Sequence, residues 1–183
     1  MSFYYFVASL PALNLSAPPA MPFATFRAEV ERLLPRSVGG ALDALVAGRP
    51  ADSAFARDWA DHEVQLRNAV VRARAARRDE DASPFLRPAH GFQLAVEQAV
   101  NEAYGKPNPL ERELVLDQVR WKVADELSRD SAFGLEAVLA YGLKLKLAER
   151  WAGLTDQAGQ SALLDAVKEV RTAAEVSTAD GRR

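Results

Sequence analysis

The chain contains no cysteine and only two histidines among its 183 residues. The first absence removes disulfides, thiol nucleophiles and cysteine-held zinc or iron–sulfur centres. The second leaves little for imidazole chemistry, since His62 and His90 are the whole supply. A phosphate-binding loop is missing too: Gly39-Gly40 runs on into Ala41-Leu42, with no Lys-Ser/Thr behind it. Alternating β-branched runs and hairpin turn signatures are lacking, whereas alanine is abundant. Neither sign of charge dominates. Lys+Arg 23 against Asp+Glu 25 leaves a net charge of -2, too little for a global pull on nucleic acid or anionic membrane.

One absence is local. Residues 1–26 hold no Asp, Glu, Lys or Arg, and every charged side chain lies at or beyond Arg27. A secretory signal needs a basic start, which is not here. A membrane span needs roughly 20 apolar residues in a row, and Pro11, Pro18, Pro19 and Pro22 interrupt this stretch first. The segment is therefore expected to be retained. Its aromatic run Phe3-Tyr4-Tyr5-Phe6 has two readings: packed into the chain's own core, or docked on a partner, where aromatics are enriched.

What is present is an ordinary globular balance, 49% hydrophobic and 26% charged. The periodicity predicts an all-α fold, a multi-helix bundle of about six to seven helices with a short aromatic N-terminal segment. A Pro/Ala/Ser loop spans residues 11–24, and Thr25 is the expected N-cap of a helix reaching Leu34, stopped by Pro35. A short helix over 38–47 ends at Gly48-Arg49-Pro50. Asp52 or Ser53 opens a long helix to Arg78, with Phe55, Trp59, His62, Leu66, Ala69, Val70 and Ala73 as its apolar stripe. The stretch 79–88, acidic and then proline-bearing, is the clearest linker and the place where a single domain over 1–176 would subdivide. Beyond it come helices over 92–104, 109–128, 133–151 and about 155–174, with a frayed tail at 177–183. Asn108-Pro109-Leu110-Glu111 is a helix start: a capping side chain, proline at the first helical position, and Glu three residues after the cap. In the helix over 133–151, Leu135, Leu139, Leu143, Leu147 and Trp151 fall four apart while Val138, Tyr141 and Leu145 lie on other sides. A helix apolar nearly all round belongs at the centre of its bundle.

Candidate chemistry is sparse. Asp58 and His62 lie four apart, but His62-Glu63 lacks the second histidine of a zinc-protease helix, so His62 is expected to be a surface or half-buried histidine with a helical carboxylate neighbour. No Ser-His-Asp set stands out. Asp125 with Arg129, and Lys122 with Glu126, have i,i+4 spacing and predict a solvated ion-pair face on the helix over 109–128, a set to which Glu111, Glu113, Asp117 and Arg120 also belong. Arg72, Arg74, Arg77 and Arg78 form a basic helix end, but Asp79-Glu80-Asp81 follows and no aromatics interleave, which argues against nucleic acid as a partner. No catalytic residue, cofactor or metal site is assigned, and the chain is not expected to be an enzyme.

Three strings carry a family resemblance: Phe3-Tyr4-Tyr5-Phe6-Val7-Ala8-Ser9-Leu10-Pro11; Glu111 through Asp117 to Trp121; and Leu139-Ala140-Tyr141-Gly142-Leu143-Lys144-Leu145-Lys146-Leu147-Ala148-Glu149-Arg150-Trp151. They resemble a bacterial family catalogued as a domain of unknown function. In spirochaetes, chlamydiae and Bacteroides-type bacteria, genes of that family lie in V/A-type ATPase operons, between the genes for the E-type stalk protein and the A-type catalytic protein. Other such operons encode the C-type socket protein at that place. The resemblance implies a non-catalytic component, similar to the C-type socket, that couples the rotor axle to the membrane ring. Its partners would be the other V/A-type ATPase subunits, namely the central rotor and the membrane ring. Its place would be the cytoplasm, peripheral to the inner membrane through its complex. A full-length C-type socket has three helical repeats and is much longer, so this chain would hold only part of that architecture. Candidate contacts are Phe3, Tyr4, Tyr5 and Phe6, with Arg120, Lys144 and Arg150 as polar anchors. The alternative is an independent helical scaffold or assembly factor for the same complex.

Overall fold

The computed structural model describes residues 3–91 and 93–154. The helix expected over 155–174 and the tail at 177–183 lie outside the described residues, as does Phe92. Among the described residues seven α-helices follow one another: α1 (Phe3–Ala8), α2 (Phe23–Leu33), α3 (Arg36–Val46), α4 (Ala54–Arg78), α5 (Leu94–Gly105), α6 (Pro109–Ser128) and α7 (Leu135–Gly153). Short 3-10 turns occupy Ser83–Phe85 and Arg129–Ser131, and no strand occurs among the described residues. The fold is an all-α multi-helix bundle.

Local chemistry explains several boundaries. The Ser53 hydroxyl accepts from the Ala56 N–H and starts α4, while Asn108 Oδ1 accepts from the Leu110 N–H and starts α6. Gly48, at φ 65°, supplies the left-handed residue behind α3. Asp79 does the same behind α4 at φ 55°, a role that aspartate tolerates better than bulkier residues. Two of the starts that differ from expectation have a visible cause or setting. Helix α2 begins at Phe23, and Thr25 does not cap it. Its free Phe23 N–H is taken instead by the Glu149 carboxylate of α7, a cap supplied from 126 residues away. Helix α7 begins at Leu135, behind an extended Gly134, where the chain passes so close to Ser131 that a Cβ would overlap the hydroxyl.

Two apolar clusters fill the interior. The larger gathers Phe6 of α1, Phe26 and Val30 of α2, Leu42 of α3, Phe55 and Trp59 of α4, Ala124 of α6, and Val138, Leu139 and Leu145 of α7. The smaller joins Leu66 and Ala69 of α4 to Val96, Val100 and Ala103 of α5 and Val115 and Leu116 of α6. The long helices α4 and α6 run through both. Helix α7 is buried on several sides, as its all-round apolar pattern predicts, and it meets α3 at Gly142. A Cβ there would overlap Leu42 Cδ1 and lie 3.2 Å from Phe26 Cε1. Among the described residues, no helix is long and apolar enough to cross a membrane.

The linker after α4 folds back along that helix. Asn68 donates to the Arg87 C=O at 2.7 Å and accepts from the Arg87 N–H at 2.9 Å. Gln65 donates to the His90 C=O and accepts from the Gln93 N–H, and Asp61 accepts from the His90 N–H. Positions 61, 65 and 68 share one helix face, so three polar side chains satisfy backbone groups that a helix ladder does not reach.

Candidate interaction surface

Helix α1 splits its aromatics between inside and outside. Phe6 is buried, 6.1 Å from the Phe26 ring, which in turn lies 5.0 Å from Tyr141. Phe3 is half-buried against the same cluster. Tyr4 and Tyr5 face outward, 53% and 68% exposed. Tyr4 packs 4.7 Å from Phe133 and edge-on to Tyr5 at 5.5 Å, and Phe133 is itself 48% exposed. The result is a surface cluster of three aromatic rings. Sequence reasoning missed Phe133 by assigning it to the start of α7. The signal was its neighbour Gly134, which ends the turn and leaves Phe133 ahead of the helix.

The Pro-rich arm is tied to α7. The Tyr141 hydroxyl donates to the Pro11 C=O at 3.1 Å, and burial pushes the Tyr141 pKa up. Burial also pushes Glu149 upward, but its bonds from the Phe23 N–H and Lys146 outweigh that and hold the carboxyl below its ordinary value. Helices α2 and α3 are clasped by a two-pronged pair, Arg27 Nε to Asp43 Oδ1 at 2.7 Å and Nη2 to Oδ2 at 2.8 Å. Gly39 makes room for it: a Cβ there would stand 2.9 Å from the guanidinium carbon.

The cationic candidates lie within an ion network. Asp117 is completely buried. Its Oδ1 accepts from Arg120 Nη1 at 2.8 Å, and its Oδ2 from Arg150 Nη1 at 3.0 Å and the Trp151 indole at 2.9 Å. Arg120 also grips Glu63 of α4 with two nitrogens, and Arg150 reaches Glu113. Burial lowers the Arg120 pKa, but the two carboxylates more than restore it, so the guanidinium is held charged. Lys144 pairs with Asp125 at 2.5 Å and lies 5.4 Å from the Trp121 ring centre. The solvated face expected along α6 is thus corrected in part. Asp117 and Asp125 pair across to α7, and Asp117 is interior, because α7 presents cations and an indole N–H against that side of α6.

The structure also corrects the reading of His62. It is only 1% exposed, neither at the surface nor half-buried, and its Nδ1 is 2.8 Å from Gln93 Oε1 rather than bonded to Asp58. Since an amide oxygen only accepts, Nδ1 carries the proton. Among the described residues, Nε2 has no partner, and no group of three or more His, Asp or Glu side chains is placed to hold a metal.

The three strings that carry the resemblance meet in space. The aromatic start and its arm lie on α7 through Tyr141, and α6 is bolted to α7 through Asp117, Arg150 and Trp151. No curated protein and no solved structure matches the chain. A domain of unknown function, described as "Protein of unknown function (DUF2764)", is found at residues 91–173, which takes in α5, α6 and α7.

Proposed function

We propose that this chain is a non-catalytic component of a bacterial V/A-type ATPase, similar to its C-type socket. In that role it helps couple the rotor axle to the membrane ring, on the cytoplasmic side and peripheral to the inner membrane through its complex. The observation that carries the docking role is the outward cluster of Tyr4, Tyr5 and Phe133. Large aromatics held in place by their own fold lose little entropy on binding, and they dominate interface energetics. The identity of the machine rests on the three resembling strings. Torque transmission needs stiff parts, and the cross-helix network around Asp117 supports that requirement by locking α4, α6 and α7 together.

The test is to purify the ATPase from the native host and determine its composition. A stoichiometric band of this chain, with uncoupled ATP hydrolysis after its gene is deleted, is the expected outcome. A coupled complex that lacks the chain refutes the proposal. A normal mature enzyme after deletion, with only transient association during assembly, would instead make it an assembly factor. Replacing Tyr4, Tyr5 and Phe133 together by serine is expected to release the chain from the complex while leaving its helical content intact.

A further inference from the structure

Arginines concentrate in one groove between α4 and α6. Arg67, Arg74, Arg77 and Arg78 come from α4 and Arg112 from α6, around a space of about 560 Å³ that also exposes Tyr104. Among the described residues, none of these five arginines has a carboxylate within ion-pair distance, whereas Arg27, Arg32, Arg57, Arg72, Arg120 and Arg150 all do; Arg36, Arg49, Arg87 and Arg129 also lack one but do not line this groove. The sole carboxylate among the described residues of the groove wall, Glu113, is taken by Arg150. Of the acidic run after α4, Asp81 turns to the Ser83 N–H, and among the described residues neither Asp79 nor Glu80 comes within ion-pair distance of these arginines. Compensation of the helix dipole accounts for Arg77 and Arg78 in the last turn. It does not account for Arg67 three turns earlier or for Arg112 on another helix.

Four of the five guanidinia are placed rather than loose. Arg74 Nε donates to the Tyr104 hydroxyl at 2.8 Å, Arg77 to the Tyr104 C=O, Arg67 to the Phe85 C=O at 3.0 Å, and Arg112 Nε to the Lys106 C=O at 2.7 Å. Each bond uses part of a five-donor fork and leaves further N–H groups for another acceptor. Like charges gathered this way repel one another, and an anion relieves that repulsion. Arg77 and Arg112 also lie over the Tyr104 ring, 4.9 and 5.8 Å from its centre. The ring is therefore engaged by cations and is not a platform for a nucleobase.

We infer that this groove binds an oligophosphate group, recognised by its phosphoryl oxygens and not by an attached base. Residues 67 to 78 span about 16 Å of helix, so a single phosphate meets one or two of these arginines whereas a chain of phosphoryl groups meets the row. Forked guanidinium donors match phosphate oxygens closely.

The probe is sodium tripolyphosphate, titrated calorimetrically into the full chain at about 0.15 M ionic strength, where weak exposed attractions are screened. Saturable one-to-one binding is expected, with ATP binding no more tightly than tripolyphosphate. Arg74→Gln with Arg78→Gln is expected to weaken binding at least tenfold, and Arg36→Gln with Arg129→Gln to leave it unchanged. Arg78 has no side-chain partner among the described residues, so Arg78→Gln alone, expected to weaken binding severalfold, keeps the test valid if the double variant loses helical content. Three results overturn the inference: no saturable binding, equal loss in the control pair, or a hexaglutamate peptide binding more tightly than tripolyphosphate. ATP binding tenfold more tightly would overturn the claim that the base goes unread.

Discussion

Replacing Asp117 by Asn keeps the shape of a completely buried side chain and removes its charge. The carboxylate accepts three hydrogen bonds, one on Oδ1 from Arg120 and two on Oδ2 from Arg150 and Trp151. An amide has a single oxygen. Placed at the Oδ2 position it retains Arg150 and Trp151, and its NH₂ then faces Arg120 Nη1, donor against donor. The lost charge-assisted bond is worth about 1.5–3 kcal/mol. The retained Arg150 bond weakens by roughly half once its acceptor is neutral. Arg120 keeps Glu63, which limits the damage. The total comes to about 3 kcal/mol, at the lower edge of the roughly 3–5 kcal/mol seen when a buried pair loses one partner. Urea unfolding followed by tryptophan fluorescence measures it. With a slope of about 2 kcal/mol/M, the midpoint should fall by about 1.5 M. The more exposed pair Lys144–Asp125 is the control, where Asp125→Asn should cost less than about 1 kcal/mol. If Asp117→Asn costs no more than this control, the network is not holding α6 to α7 and the reasoning fails.

Gly142→Ala should destabilise by about 1–3 kcal/mol through overpacking, because the new methyl meets Leu42 and the Phe26 ring; a thermal melt that is unchanged from wild type would show that α7 can shift away. Stability should fall on acidification, since Asp43 is held low by its bonds from Arg27 and Glu149 by the Phe23 N–H and Lys146 against the pull of burial. Their contribution is complete above the ordinary values of 3.8 and 4.5 and is lost as the pH drops through the lower folded-state values. Urea midpoints from pH 6 to about pH 2 should therefore decline less steeply in Asp43→Asn with Glu149→Gln than in wild type, and parallel profiles would refute the assignment. Tyr5→Ser should change the melting midpoint little, because its ring is mostly exposed, whereas Phe6→Ala should cost about 3–5 kcal/mol; equal effects would mean that α1 is oriented differently.

The helices were legible wherever the controlling interaction is short in sequence. Ser53 and Asn108 act on N–H groups three and two residues away, and Gly48 and Pro35 act where they stand. The all-round apolar pattern of the segment 133–151 likewise marks a central helix, because a helix with apolar side chains on every face has to be enclosed. The start of α2 was not legible in the same way: its cap is Glu149, and nothing near Phe23 announces it. The charged positions of α6 were legible as helical but not as interior or exterior. Asp117 and Asp125 share a helix, yet only Asp117 is shut in beneath Arg150 and Trp151.

The aromatic start shows the same division. Composition alone marked Phe3 to Phe6 as an uncharged, ring-bearing segment with two uses. Helix α1 turns Phe6 to Phe26, and it turns Tyr4 and Tyr5 to Phe133 and solvent. Local order, such as periodicity, caps and breakers, depends on neighbours within about four residues, and one strand of text carries it. Burial, the pairing of Asp117, the isolation of His62 Nε2 and the gathering of Arg67, Arg74, Arg77, Arg78 and Arg112 into one groove depend on which helices come to lie side by side. Those contacts join residues tens of positions apart, so only the packed bundle decides them.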